Sequence, residues 1–123
     1  MQRELCAYLQ DVMDASDALH KFVANVTFDE FRENDLLRSG VERKFEIIGE
    51  ALSQASQTFP GSIDSVTDLS AAIGQRHRIA HGYFVIDPAK LWVSIEADIP
   101  VLREQIALHT FAIMGLPLSF HSR

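Results

Sequence analysis

The sequence has little cysteine, proline or glycine. Cys6 is the single cysteine among 123 residues, so no disulfide can form within the chain, which favours a reducing cytoplasm. With 6 glycines and 4 prolines, long helices are expected. No apolar run approaches the roughly 18 residues that a membrane span requires, and no apolar signal-peptide core follows the amino terminus. The sequence therefore predicts a chain without a membrane segment.

Positive charge is also scarce. Lys and Arg number 11 against 17 Asp and Glu, and the net charge is −6. Such a chain has no broad, nonspecific attraction for nucleic acid, so any RNA binding must depend on a local basic patch. The candidates for that patch are Arg76, His77, Arg78 and Lys90. The length and the 47% hydrophobic content indicate one globular domain, residues 1–123.

Apolar residues recur at spacings of three and four along most of the chain, which is typical of amphipathic helices. Turn and capping residues divide this pattern into four long helices and a short one. The predicted helices are residues 4–24, 28–32, 36–58, from Ser65 or Thr67 to about Ala80, and from Asp87 to just before Gly115. We therefore expect an all-α, up-and-down four-helix bundle with an extra short helix.

Two residues inside the predicted helices should disturb them. Pro100 lacks an N–H and clashes with the carbonyl of Glu96, so a kink or break is expected there. Gly49 costs about 1 kcal/mol relative to alanine, so we interpret it as a sign that a neighbouring helix approaches closely. The packing rhythm and the apolar residues after Gly115 favour a homodimer, because a monomer would leave that tail uncovered.

The most informative stretch is GQRHRIAHGYFVID, residues 74–87. It places Arg76, His77 and Arg78 in one helical turn. Gly82 allows the helix to end just after His81. Guanidinium groups bind phosphate and an imidazole titrates near neutral pH, so the stretch suits cleavage of a phosphodiester without a metal.

Arg76 and His81 lie about 140° apart on an ideal helix. They converge only if the helix unwinds at its end or if a second copy completes the site. Two other readings of the stretch stay open. His77 and His81 have the i, i+4 spacing of metal ligands, although no third ligand is evident. The arginines could instead cap carbonyls and pair with Glu46 or Glu50.

Arg76-x4-His81-x-Tyr83 resembles the R-x4-H-x-Y signature of the HepT toxins, within the HEPN superfamily of small α-helical ribonucleases. A second block, residues 38–51, resembles the same family. So does a third block, residues 82–88, which is followed by Trp92. The blocks occur in the order that the family has, and the resemblance extends over nearly the whole chain.

The resemblance implies metal-independent RNA cleavage that needs no cofactor. The ribose 2′-OH would attack the neighbouring phosphate, with His81 as general base or acid and Arg76 stabilising charge on the phosphorane. His77 and Arg78 would position the phosphate or the motif itself. HEPN domains commonly pair, which implies a homodimer with two motifs in one cleft.

The resemblance also implies a protein partner. In HepT–MntA toxin–antitoxin pairs, a minimal nucleotidyltransferase adds AMP to the tyrosine of the motif, here Tyr83, and so blocks the toxin. A reading from another functional class stays open. In that reading the chain is a non-catalytic helical partner or regulatory subunit of such a nucleotidyltransferase.

Overall fold

The computed structural model describes residues 4–64, 66 and 87–114, and within these residues the chain is helical and contains no strand. The described helices are α1 (Leu5–Phe22), α2 (Phe28–Glu33), α3 (Asp35–Thr58), α4 (Pro88–Val93) and α5 (Ile99–Met114). A π-helical segment, Ser94–Asp98, joins α4 to α5. The all-α prediction is confirmed. Asp64 and Val66 are helical, and the rest of the predicted third long helix lies outside the described residues.

Local capping bonds determine where α2 and α3 begin. The Thr27 hydroxyl accepts a hydrogen bond from the Glu30 N–H at 3.1 Å, and the Glu30 carboxylate accepts one from the Thr27 N–H at 2.9 Å. This reciprocal pair is a capping box. The Asn34 side chain accepts from the Leu37 N–H at 3.0 Å, which makes Asn34 the residue that caps α3. The predicted start of the short helix at residue 28 is confirmed.

The hydrophobic core is organised around α1, which packs against both α3 and α5. Leu9, Val12 and Leu19 of α1 are fully buried. The other helices contribute buried apolar residues to the same core, among them Phe31, Val41, Leu52, Leu91, Leu102 and Ile106. Each fully buried side chain of this kind contributes about 1.5–3 kcal/mol to the free energy of unfolding.

An ion pair links α1 to α5 at the edge of this core. The Arg103 guanidinium donates to both carboxylate oxygens of Asp17, at 2.5 and 3.3 Å. The hydrogen bond to Asp17 raises the pKa of Arg103, against the opposing effect of burial. A two-pronged contact of this geometry restricts how α5 can rotate on α1.

An aromatic cluster links α2 to α4. The Trp92 ring lies 5.2 Å from the fully buried Phe31 ring and 5.9 Å from the Phe28 ring, centroid to centroid. The Arg32 guanidinium lies over the other ring of α2, 5.6 Å from the Phe28 centroid. Trp92 therefore anchors α4 to α2 in the amino-terminal half of the chain. Helix α4 directly follows residues 74–87, which we call the motif stretch.

The last helix consists of α4, the π-helical segment and α5 in direct succession. It is irregular just before Pro100, as the sequence predicts, but it does not break. The Ile99 N–H donates to the Ser94 carbonyl, five residues back, which is the bond of a π-helix. One extra residue is thereby included in the turn that precedes Pro100. Since proline has no N–H to donate, this wider turn lets the helix continue through a residue that cannot complete the α-helical ladder.

The expectation of a close helix approach at Gly49 is wrong among the described helices. Gly49 is exposed, and an added Cβ there would meet no atom of the described residues within 4 Å. The close approach lies at Gly40 instead, where an added Cβ would be 3.3 Å from the ring of Phe22. Among the described residues, no helix is both long and apolar enough to cross a membrane.

Replacing Trp92 by alanine should lower the free energy of unfolding by about 2–3 kcal/mol, because the partly buried indole contacts two aromatic rings. Leu36→Ala is the matched control, since Leu36 is 84% exposed and should cost less than about 0.5 kcal/mol. Urea unfolding followed by circular dichroism measures both. Equal losses in the two variants would contradict the anchoring role of Trp92.

Candidate active site

The five residues that the sequence predicts for the site lie outside the described residues. They are Arg76, His77, Arg78, His81 and Tyr83. The His77–His81 pair of the metal-site reading lies there as well. Their geometry and roles stay predictions. The structure describes the elements that lead into this stretch and out of it, up to Val66 and from Asp87 onwards.

The chain leaves the motif stretch through a well-defined helix start. Asp87 is the N-cap of α4, and its Oδ1 accepts a hydrogen bond from the Ala89 N–H at 2.9 Å. Pro88 occupies the first helical position, where its missing N–H costs nothing. The predicted start at Asp87-Pro88 is confirmed. The end of the motif stretch is thus connected to a helix that Trp92 anchors.

A buried polar pair lies one turn further along, and the sequence reasoning did not find it. The Ser94 hydroxyl donates to the Asp98 carboxylate at 3.0 Å. Ser94 is fully buried and Asp98 is only 8% exposed. Carboxylates are rarely buried without partners, so a buried aspartate here is suited to accept hydrogen bonds from neighbouring donors. The feature of the sequence that indicates this pair is the i, i+4 spacing of Ser94 and Asp98 just before Pro100.

Glu46 and Glu50 of α3 have a partner on their own helix. The Arg43 guanidinium donates to Glu46 at 3.1 Å and to Glu50 at 3.3 Å. The bond to Glu46, followed by the charge of Glu50, raises the pKa of Arg43. All three side chains are exposed. Their pairing with one another gives no support to the reading in which these glutamates serve the arginines of the motif.

The groove between α1 and α3 is acidic. Two carboxylates contribute to it, and its described lining is Tyr8, Asp11, Ile47, Glu50, Ala51 and Gln54. Carboxylates repel phosphate, and the described lining of this groove contains no cationic side chain that could bind it. Of the candidates for the basic patch, Lys90 is the one within the described residues, and it is exposed on α4. Among the described residues, no group of three or more His, Cys, Asp or Glu is placed to hold a metal ion.

The sequence model of the family described as "Ribonuclease HepT-like" matches residues 12–108. This range begins within α1, ends within α5 and includes the whole motif stretch. The chain belongs to the HepT-like ribonuclease family. The resemblance found in the sequence is thereby confirmed.

Similar proteins support the same assignment. A "putative RNase" of Methanocaldococcus jannaschii is 28% identical over 107 residues, which are 87% of this chain and 97% of the relative. A "probable ribonuclease HepT" of Thermococcus cleftensis is 29% identical over 103 residues, which are 84% of this chain and 93% of the relative. The similarity therefore extends over nearly the whole length of these two relatives. No solved structure matches the chain.

Replacing Asp87 by alanine should destabilise this HepT-like protein by about 1 kcal/mol, because the Ala89 N–H loses its cap. Asp87→Asn is the matched control, since an asparagine oxygen accepts the same bond. Urea unfolding of both variants measures the difference. If Asn costs as much as Ala, the cap is not what stabilises the start of α4.

Proposed function

We propose that this HepT-like protein is a metal-independent endoribonuclease toxin that cleaves RNA through Arg76 and His81. The observation that carries the proposal is the family match over residues 12–108, a range that includes the Arg76-x4-His81 motif. The described helices support it, because α3 and α4 flank the motif stretch and both belong to one packed core.

The proposed chemistry is a transesterification within the RNA. His81 of one protomer, as general base, takes the proton of a ribose 2′-OH. The 2′ oxygen then bonds to the neighbouring phosphorus, and the bond from phosphorus to the 5′ oxygen breaks. His81 of the partner subunit, as general acid, protonates that 5′ oxygen. The products are a 2′,3′-cyclic phosphate and a 5′-hydroxyl.

Arg76 and Arg78 supply positive charge, which is scarce in this acidic chain. Arg76 places its guanidinium against the phosphorane, whose additional negative charge appears only in the transition state. His77 and Arg78 bind and position the phosphate. Because the net charge is −6, RNA binding should depend on few phosphate contacts. The affinity for RNA should therefore fall only gently as the salt concentration rises.

We further propose that a nucleotidyltransferase antitoxin controls the toxin in the cytoplasm. The Tyr83 hydroxyl attacks the α-phosphorus of ATP, a bond from oxygen to phosphorus forms, and pyrophosphate leaves. The attached AMP is bulky and anionic. Two residues from His81, it would repel the RNA phosphate and obstruct the cleft.

A second candidate function is a non-catalytic partner of a minimal nucleotidyltransferase. The acidic groove between α1 and α3 favours it, because Asp11 and Glu50 suit a basic protein surface better than RNA. In that case the chain binds the nucleotidyltransferase and cleaves nothing.

RNA cleavage in EDTA separates the two functions. Wild type should cleave, and His81→Ala and Arg76→Ala should each lose about 100-fold or more in rate, because each removes a group acting in the transition state. His20→Ala is the matched control, since His20 is exposed on α1 and should cleave like wild type. Equal cleavage by wild type and His81→Ala would rule out the proposed base. No cleavage by wild type would favour the binding function.

Co-expression with the cognate nucleotidyltransferase should raise the intact mass by one or more AMP units. Tyr83→Phe should abolish the increase, because phenylalanine has no hydroxyl to accept the nucleotide. Tyr8→Phe should retain it, since Tyr8 is the other tyrosine and is buried in α1. An unchanged mass in wild type, or an increase that persists in Tyr83→Phe, would contradict control through Tyr83.

A further inference from the structure

Asp98 is a buried carboxylate on the flank of the last helix that faces away from α1. Arg103, five residues further along and about 140° round the helix, faces α1 because it donates to Asp17. Asp98 therefore lies on the opposite flank, yet it is only 8% exposed. Gln105 follows Asp98 by seven residues, and its side-chain oxygen Oε1 is buried as well. Another part of the chain must cover this flank.

The same carboxylate borders a surface groove. The described lining of this groove is Ala89, Lys90, Val93, Ala97 and Asp98. Lys90 is the member of the predicted basic patch that lies within the described residues, and it is exposed. Because a cation in a groove favours a phosphate there, the groove connects the buried Asp98 with the surface on which we expect RNA to bind.

A buried carboxylate is stable only when hydrogen bonds and a cation compensate its charge. The Ser94 hydroxyl donates one hydrogen bond to Asp98, at 3.0 Å. The four arginines within the described residues each pair with a different carboxylate: Arg32 with Asp29, Arg38 with Asp35, Arg43 with Glu46 and Arg103 with Asp17. After Arg103, the arginines nearest to Asp98 in the sequence are those of the motif stretch, Arg78 and Arg76.

The sequence pattern selects Arg76 from these two arginines. On the predicted third long helix, Arg76 follows Leu69 by seven residues and Ile73 by three, so it shares their apolar face. Arg78 is about 200° further round, on the polar side. An arginine on the inward face of a helix requires a buried carboxylate as its partner. Arg76 and Asp98 therefore have complementary requirements.

The predicted topology brings these two residues to the same region. In an up-and-down bundle, the last helix packs beside the first and the third. Since α1 packs on the Arg103 flank, we expect the third long helix on the Asp98 flank. Arg76 lies six residues before the connection 82–87 and Asp98 lies eleven residues after it. These separations correspond to about 9 and 16 Å of helix, and the long arginine side chain covers much of the difference.

We propose that the buried Asp98 carboxylate binds the guanidinium of Arg76 and positions it for catalysis. A guanidinium donates hydrogen bonds from more than one edge, so one edge can bind Asp98 while another faces the RNA phosphate. Asp98 touches no reacting atom in this arrangement and is a positioning residue. The inference rests on the proposed role of Arg76 in RNA cleavage, but the pairing itself is measured without RNA.

A double-mutant cycle on thermal stability tests the pairing. Asp98→Asn and Arg76→Gln each leave one buried charge without its counterpart, so each should lower the Tm by about 5 °C or more. The double variant removes both charges and should melt no lower than either single variant. Circular dichroism of the full chain gives the Tm values. If a single variant fails to fold, the double variant should still fold.

Two control variants make the cycle specific. Glu96→Gln removes an exposed carboxylate two residues before Asp98, and its effect on the Tm should simply add to that of Arg76→Gln. Arg78→Gln removes the arginine on the polar side, and its effect should add to that of Asp98→Asn. Losses that add for Arg76→Gln and Asp98→Asn, or a double variant that fails to fold when a single variant folds, would overturn the pairing.

RNA cleavage in EDTA tests the positioning role separately. Asp98→Asn should lower kcat about 10-fold or more and leave KM within about 3-fold, because Arg76 acts on charge that develops in the transition state. In an Arg76→Ala background the same change should alter kcat less than about 2-fold, because Asp98 acts through Arg76. A full loss in that background would contradict positioning. A wild type that cleaves no RNA would refute the proposed function, while the Tm cycle would still decide the pairing.

Discussion

Burial of the apolar face of α1 is the interaction on which the rest of the molecule depends. Leu9, Val12 and Leu19 lose all their exposure between α3 and α5. Packing both helices on α1 fixes their positions relative to one another. Because α3 precedes the motif stretch and α5 follows it, the same packing anchors the chain on both sides of Arg76 and His81. The core therefore fixes the helices that precede and follow the candidate site.

The last helix combines several constraints in a few residues. Asp87 caps its start, Trp92 anchors it to α2, and the Ser94–Asp98 pair is buried in its π turn. The π turn accommodates Pro100, which has no N–H for the helical ladder.

Local chemistry could be read from the sequence, and tertiary detail could not. The long helices that the structure describes match their predicted extents to within two residues, for example residues 36–58 against Asp35–Thr58, since periodicity and caps are local signals. No described helix makes the close approach expected at Gly49, because a glycine shows only that a side chain is absent and not which neighbour is near. Pro100 indicates an irregular turn but not its type, so the π turn and its buried Ser94–Asp98 hydrogen bond were not predicted. The motif was recognised from residue types at fixed spacing, and that pattern carries no distances between side chains.

The proposed activity requires that the chain itself supply both the base and the charge stabilisation for attack by the 2′-OH. The chemistry of the RNA ends after cleavage in EDTA tests this most directly. The account predicts fragments that end in a 2′,3′-cyclic phosphate and begin with a 5′-hydroxyl, because the ribose oxygen is the nucleophile. Fragments with a 3′-hydroxyl and a 5′-phosphate, formed only when a divalent metal is restored, would contradict it.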